Sequence, residues 1–477
     1  MIIHYFRKAW FLVFFLFICF PSAAQKQWTL QECVEHALKN NISVKQSAVA
    51  EKQSSIALSQ KQLQMLPTVN GSASHNYNFG RSVDPFSNQF TTEQIQSDNI
   101  SLSGNVTLFN GFQLQNELKQ SRLDYLASTY DLQKISNDIS LSVVSSFLQV
   151  LYAKEALTAV NDQANRSQKQ RDRIKALTDA GSLTQGNFLD AESQLATDEL
   201  TVITAENNLT IAILSLAQLM ELQNTDGFDI AKPVSEIPDI SVLSQTPLAI
   251  YQTAQSILPE IKSSQTKVLS AQKGLSAARG ARFPRLSAFG SLSTGYSSAS
   301  RRPAGSQFLG LFPNGSVTML GGDSVLSPLY TSTFEDTPFN DQFDQNYSKS
   351  VGFSLSIPIF NGWATESGIR RAKLGVYSAE LNEDLQNQQV FKSIQQAYAD
   401  AIGGQKKYAA AQRSYDALQA SFGYTQKKFD AGLVSSLEWL TSKNSFAKAE
   451  SDLLQAKYDY IFRVKVLDFY AGKTLTL

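Results

Sequence analysis

The chain has 477 residues, with 42 Lys plus Arg balanced by 42 Asp plus Glu, and 43% of it is hydrophobic. Zero net charge gives no electrostatic handle for nucleic acid or another polyanion. Two cysteines and three histidines leave little material for a metal centre or a disulfide framework.

Residues 1–24 read as a secretory signal peptide. Arg7 and Lys8 precede an apolar run over 9–20, and Pro21-Ser22-Ala23-Ala24 supplies small residues for cleavage. The run is about 12 residues, too short to span a bilayer. Cys19 lacks the small residues a lipoprotein signal places before its cysteine, so no lipid anchor is expected. Cleavage leaves Cys33 as the only cysteine and excludes an intramolecular disulfide. No later segment has about 18 unbroken apolar residues. An exported chain of this kind is either soluble or a membrane β-barrel.

Residues 25–222 form a first repeat. A helical stretch over 42–66 leads to a strand at about 68–79, a short loop, a second strand at about 98–109 and a helix hairpin over 111–222. Residues 223–257, broken by Asp226, Gly227, Pro233, Pro238 and Pro247, read as a linker with a small mixed patch. A second repeat covers 258–470: a helix over 261–283, strands at about 285–296 and 348–360, and a hairpin over 362–470. A tail, 471–477, ends the chain. The duplication rests on two unlike motifs. Phe109-Asn110-Gly111 returns as Phe360-Asn361-Gly362, and Asp179-Ala180-Gly181 as Asp430-Ala431-Gly432, both at an offset of 251 (362 − 111 and 432 − 181). Pro67 pairs with Pro284 at 217 (284 − 67), so the second copy carries an insertion of 34 (251 − 217) between its strands, in the Gly-, Ser- and Pro-rich segment 298–347, expected to be a long extracellular loop.

Each strand alternates with period two. Val69, Gly71, Ala73, His75 and Tyr77 face one way, and Asn70, Ser72, Ser74 and Asn76 the other. A soluble sandwich with one wet face would alternate too. Here the polar side is Ser, Asn and Thr with almost no Lys or Glu, which suits a water-filled lumen. Four strands cannot close around water, and open edges in lipid are prohibitively costly, so the strands are expected to be staves of an oligomer. A trimer gives 12 strands, an even number and wide enough for a channel.

No proline falls between Gly111 and Gly181 or between Gly362 and Gly432. Each stretch makes a helix of about 105 Å. Leu118, Tyr125, Leu132 and Ile139 step by seven, as do Ile394, Ala401, Tyr408, Tyr415, Phe422 and Phe429, which predicts coiled-coil packing. Gly181 and Gly432 permit the left-handed stop, and Thr184 and Ser435 cap the return helices, Ser435 with Glu438 at capping-box spacing.

The Leu108-Phe109-Asn110-Gly111 and Pro358-Ile359-Phe360-Asn361-Gly362 junctions, the turns Asp179-Ala180-Gly181-Ser182-Leu183-Thr184 and Asp430-Ala431-Gly432-Leu433-Val434-Ser435, and the closing Leu467-Asp468-Phe469-Tyr470-Ala471-Gly472 together resemble the TolC-like outer-membrane efflux protein family. The resemblance covers essentially the whole mature chain. It implies a mixed α+β membrane protein: a trimeric 12-stranded outer-membrane β-barrel, four strands per chain, continuous with a periplasmic α-helical coiled-coil tunnel. It implies a passive export duct served by a periplasmic adaptor and an inner-membrane pump of the RND or ABC type. Gly181, Ser182, Leu183, Thr184, Gly432, Leu433, Val434 and Ser435 take the adaptor-contacting role. Asn110, Gly111, Asn361 and Gly362 mark the barrel–helix junctions. Asp416 and Asp430, near the end of the second long helix, are candidates for an acidic ring at the periplasmic gate; solvated helix charges are the bland alternative.

No catalytic constellation stands out. Cys33 and His36 share a helix face, but a closed zinc site needs four ligands and no second cluster exists. Gly321-Gly322-Asp323 lacks the lysine of a phosphate loop. The chain is therefore expected to be no enzyme and to hold no metal or cofactor. The other functional reading is a periplasmic structural coiled-coil protein with a soluble sheet.

Overall fold

The computed structural model describes residues 27–83, 88, 90–91, 94–225, 227–232, 240–318, 320–321 and 323–473. Residues 1–24, read above as a signal peptide with Arg7, Lys8 and Cys19, lie outside these residues, as do Asp226, Pro233 and Pro238 of the linker, Gly322 and the end of the tail. β1 (Gln27–Trp28), α1 (Leu30–Asn40) and α2 (Ile42–Leu63) lead into β2 (Thr68–Asn78), the short β3 (Ser82–Val83) and β4 (Phe90–Thr91), and β5 (Ile95–Phe109). α3 (Gln113–Asp179) and α4 (Gln185–Leu219) follow. Next come β6 (Asp229–Ile230), a 3-10 turn over Ile240–Ser244, α5 (Pro247–Ile257), α6 (Pro259–Gly280), β7 (Arg285–Ser297), β8 (Arg301–Val317), β9 (Ser324–Asp336), α7 (Phe339–Gln345) and β10 (Ser348–Ser356). α8 (Ala364–Asp430) and α9 (Ser436–Tyr470) complete the order.

The helices come in equal pairs. α3 and α8 have 67 residues each, α4 and α9 have 35, α2 and α6 have 22, and α1 and α5 have 11. The first two pairs start 251 residues apart (364 − 113 and 436 − 185), the other two 217 apart (259 − 42 and 247 − 30). Thr29 caps α1 and Thr246 caps α5 at the same offset. The second copy therefore begins at Thr246. This corrects the reading of 223–257 as linker throughout. Pro247 does not break the chain here: it sits in the first helical turn, where a missing N–H costs nothing.

The chain divides into two compact units. One joins Ile56–Arg122 to Ser270–Val376 and holds an antiparallel sheet of order β10-β7-β5-β2. Within each copy the strand pairing has one register. Ser72 faces Ser101, and 217 and 251 residues on, Phe289 faces Gly352. The copies meet through β5 and β7, with Leu102 opposite Leu292 and Ser101 opposite Ser293. One face carries serine rows, such as Ser72, Ser101, Ser293 and Ser348, with Ser72 Oγ and Ser101 Oγ 2.7 Å apart. On the other face Val351 is 84% and Phe353 71% exposed. Largely exposed apolar side chains on a charge-poor face need a non-aqueous cover. The last strand stops at Ser356 rather than at 360, since Pro358 has no N–H to continue the ladder.

The segment 298–347 is not a loop. β8 and β9 pair as a hairpin, with Phe308 against Tyr330, and α7 follows. Its Gly and Pro content and three register shifts hide the alternation. Buried Gln342 of α7 fixes the base: its amide oxygen accepts from Ser297 N at 2.9 Å, and its amide nitrogen donates to Ser297 O (3.0 Å) and Thr337 O (2.8 Å).

The other unit joins the described residues up to Ser55 to Leu123–Leu269 and the chain from Tyr377. It has two apolar clusters. Cys33, Ala37, Val143 and Leu216 lie in one, and their counterparts Ile250, Ala254, Ile394 and Leu467 lie in the other. Cys33 is thus a core residue standing where the second copy has isoleucine. His36 spends its ring nitrogens on Met220 O (3.0 Å) and the Asn40 amide (3.2 Å). β1 pairs in parallel with β6 beside the first cluster. α3 and α4 each contain an 18-residue window apolar enough to cross a bilayer, which a search for unbroken runs misses. In α3, Val143, Val144, Phe147 and Leu148 are packed in the first cluster.

Candidate functional site

The hairpin tips are two copies of one turn. Gly181 has φ +77° and Gly432 φ +75°. Ser182 N donates to Leu177 O at 2.8 Å and Leu433 N to Lys428 O at 2.9 Å, which closes the last helical turn as a left-handed glycine stop does. Thr184 Oγ1 accepts from Asn187 N at 3.4 Å, and Ser435 Oγ from Glu438 N at 3.2 Å. The complete reciprocal capping box is at Thr29 and Glu32, where sequence reasoning did not place one. Nothing lies within 4 Å of where a Cβ would sit on Gly181 or Gly432. Ser182 and Leu433 are exposed, and Leu183 and Val434 half-buried. Leu433 and Leu437, at 75% and 73% exposure, put apolar surface at the second tip.

The two candidate gate carboxylates differ. Asp416 accepts only from its helix neighbour Gln412 Nε2, at 2.9 Å, among its described side-chain bonds. Asp430 is tied into the structure. It accepts from Arg173 Nη1 of α3 and from Gln426 Nε2 (3.1 Å), and Gln426 Oε1 accepts from Trp439 Nε1 (2.7 Å). Asp430 therefore carries its own counter-ion from the other hairpin.

Farther from the tips lies a cluster that the sequence reading missed. Lys443 Nζ of α9 donates to Asp198 Oδ2 of α4 at 2.5 Å and to Ser167 Oγ of α3. Ser167 Oγ donates to Asp198 Oδ2 at 2.5 Å, while Gln163 and Gln194 amides donate to Oδ1 at 2.8 and 2.9 Å. Both charged side chains are 3% exposed. Burial pushes the Lys443 ammonium below the usual lysine range, with Asp198 opposing the shift. The sequence signal was a lysine on the buried stripe Trp439, Lys443, Phe446. Beside the cluster, a cavity of about 30 Å³ is lined by Gln170, Ile174, Phe429 and Trp439 among others, and buried Gln170 Nε2 has no partner.

The junctions also match. Gly111 and Phe112 have φ +65° and +60°, and Gly362 and Trp363 φ +60° and +64°. The helices start just past these residues, at Gln113 and Ala364. Asn110 Oδ1 accepts from Leu114 N at 3.4 Å and Asn361 Oδ1 from Thr365 N at 3.5 Å. The surroundings differ. A Cβ on Gly111 would lie 2.3 Å from Gly280 O and 2.7 Å from Phe283 Cβ, whereas Gly362 meets nothing.

Comparison with known proteins agrees with this architecture. The profile of the outer membrane efflux protein family matches residues 33–221 and 250–473. "Toxin and drug export protein A" of Aggregatibacter actinomycetemcomitans is 21% identical over 442 residues, 91% of this chain and 84% of the relative. Outer membrane protein TolC of Escherichia coli is 21% identical over 224 residues, 45% of each chain. Among solved structures, the CmeC outer membrane channel of Campylobacter jejuni superposes with a TM-score of 0.75 at 18% identity, covering 94% of this chain and 87% of its own. VceC of Vibrio cholerae gives 0.73 at 12% identity, covering 94% and 97%. The family is one of outer-membrane efflux proteins rather than enzymes, and the periplasmic alternative with a soluble sheet is set aside. The chain is an outer-membrane protein and belongs to the outer membrane efflux protein family.

Proposed function

We propose that the chain is one third of a passive export duct: three copies close a 12-stranded barrel in the outer membrane, and their helix hairpins form a periplasmic tunnel that meets an adaptor and an inner-membrane pump. One observation carries the trimer. The contact between copies of the repeat is made once inside the chain, through β5 with β7 and Gly111 with Gly280. Its equivalents are left open: β2 and β10 are the sheet edges, and Gly362 faces nothing. Unpaired edges in lipid are untenable, so a second chain must supply them. Exposed Leu200, Ile203, Ile211 and Leu214 on α4 offer apolar surface for a neighbouring chain.

The repeat also gives the intermolecular register. Ser103 faces Ser291 within the chain. Moving each to its twin pairs Ser354 (103 + 251) with Ser74 (291 − 217) of the next chain. Ser354→Cys combined with Ser74→Cys is expected to give covalently closed trimers on mild oxidation, with channels in planar bilayers. Monomers after oxidation, or no conductance from the native protein, would sink the duct reading. The tips are read as the adaptor surface, supported by their open glycines and exposed leucines. Gly181→Asp with Gly432→Asp is expected to abolish adaptor crosslinking while trimers persist; undiminished crosslinking would remove that role.

A further inference from the structure

We propose that Lys443, Asp198 and Ser167 form a fixed clasp between the two helix hairpins of one chain, and that this clasp sets how far from the tips the hairpins can part. The proposal rests on the export-duct reading and adds that the tips part to open the tunnel.

The inference comes from comparing two ties between the same hairpins. Near the tips, Arg173 and Asp430 join α3 to α8, with side chains 46% and 41% exposed. Water and salt can replace each partner of such a pair when it separates. Lys443 and Asp198 are 3% exposed, so nothing replaces a lost partner there. Asp198 accepts four hydrogen bonds, drawn from α3, α4 and α9. A fully connected buried polar network resists partial opening, because any single break orphans a charge. Between the two ties lies a small cavity of about 30 Å³, with the unpartnered Gln170 amide beside Ser167, Gln194 and Trp439. The hairpins are thus tied by a connected buried network at one level, with a small cavity next to it, and joined by a solvent-screened pair near the ends.

Counting along the helices, Ser167 lies 14 residues before Gly181 (181 − 167) and Asp198 lies 17 after it (198 − 181), about 20–25 Å along the axis. The separable part of the first hairpin is then about one fifth of the length of α3, which spans about 100 Å, and in the second hairpin Lys443 lies 11 residues after Gly432 (443 − 432), about 16 Å. Lys443 is a positioning residue: it touches no cargo, and its role is where the bend occurs.

The test uses full-length protein in lipid nanodiscs, with spin-labelled chains diluted into unlabelled trimers. One label pair reports the tips (Ser182→Cys with Leu433→Cys). Another reports the region on the far side of the clasp (Thr158→Cys with Asp452→Cys). In the native background the tip distances are expected to be broad and the far pair narrow. Lys443→Met with Asp198→Leu removes both charges and leaves no buried ion unpaired. It is expected to broaden the far pair and to raise closed-state conductance severalfold. The swap Lys443→Asp with Asp198→Lys is expected to return the far pair towards native width. A far pair that already varies with the tips in the native protein overturns the clasp, and so does one that stays narrow in the charge-free variant. Absence of any native conductance would instead remove the duct reading, since the distance measurements do not depend on it.

Discussion

The two barrel–helix junctions have the same backbone and opposite surroundings. Each places a glycine and then an aromatic residue at φ near +60° and caps its helix with an asparagine four residues before the bonded amide. Gly111 is wedged against Gly280 and Phe283, while Gly362 is open on its side-chain face. Local conformation is therefore written into each copy, whereas packing depends on what the neighbouring repeat supplies. Inside the chain that neighbour is present; at the chain's edge the proposed duct supplies it from another molecule.

Four perturbations would break or sharpen this contrast. Gly111→Ala should be the most damaging: a Cβ 2.3 Å from a backbone oxygen forces the chain apart, on top of left-handed strain. A loss of at least about 3 kcal/mol is expected, read as failure to recover folded protein in the membrane. Lys443→Met alone leaves Asp198 charged and buried and should cost about 3–5 kcal/mol, seen as a lower melting temperature. If the melting temperature were unchanged, the cluster would hold nothing. Gly362→Ala should cost only the backbone strain, about 1–2 kcal/mol, in a dissociated chain. A much larger loss in assembled trimers would show the neighbour packing against it.

The smallest effect is electrostatic and belongs to the second junction alone. Glu366 lies beside Arg282 (2.5 Å) and Arg370 (3.3 Å), and the Arg282 hydrogen bond holds its carboxyl below the usual glutamate range. A carboxylate with a depressed folded pKa stabilises the fold above its unfolded value and loses that contribution as pH falls through the folded one. The first copy has Gln115 at this place. Acidification below the ordinary glutamate range should loosen the region around Trp363 and leave that around Phe112 unchanged, as read by fluorescence of Trp363 and hydrogen exchange.

Backbone-determined features were legible in the sequence. Gly181, Gly432 and the Asn-Gly junctions announce themselves because few residues tolerate positive φ, and the proline-free stretches give the long helices. Side-chain identity was a poorer guide where different residues do one job. Cys33 and Ile250 share a core position, but one invites a metal reading and the other does not. The start of the second copy at Thr246 was missed for that reason. β8 and β9 were missed because bulges interrupt their alternation. The clasp was missed because Lys443 and Asp198 are 245 residues apart, and only the fold reveals that both stripes point inward.

The β8–β9 hairpin lies in one copy of the repeat only. In the ring of three chains proposed above it would appear three times, while every paired element would appear six times. A duct assembled from separate half-chains would need two genes expressed in step, and nothing would stop like halves from sitting side by side. Joining the halves in one reading frame makes their one-to-one ratio and strict alternation heritable properties of the polypeptide. The second half could then acquire the β8–β9 hairpin without placing six copies of it in the proposed assembly.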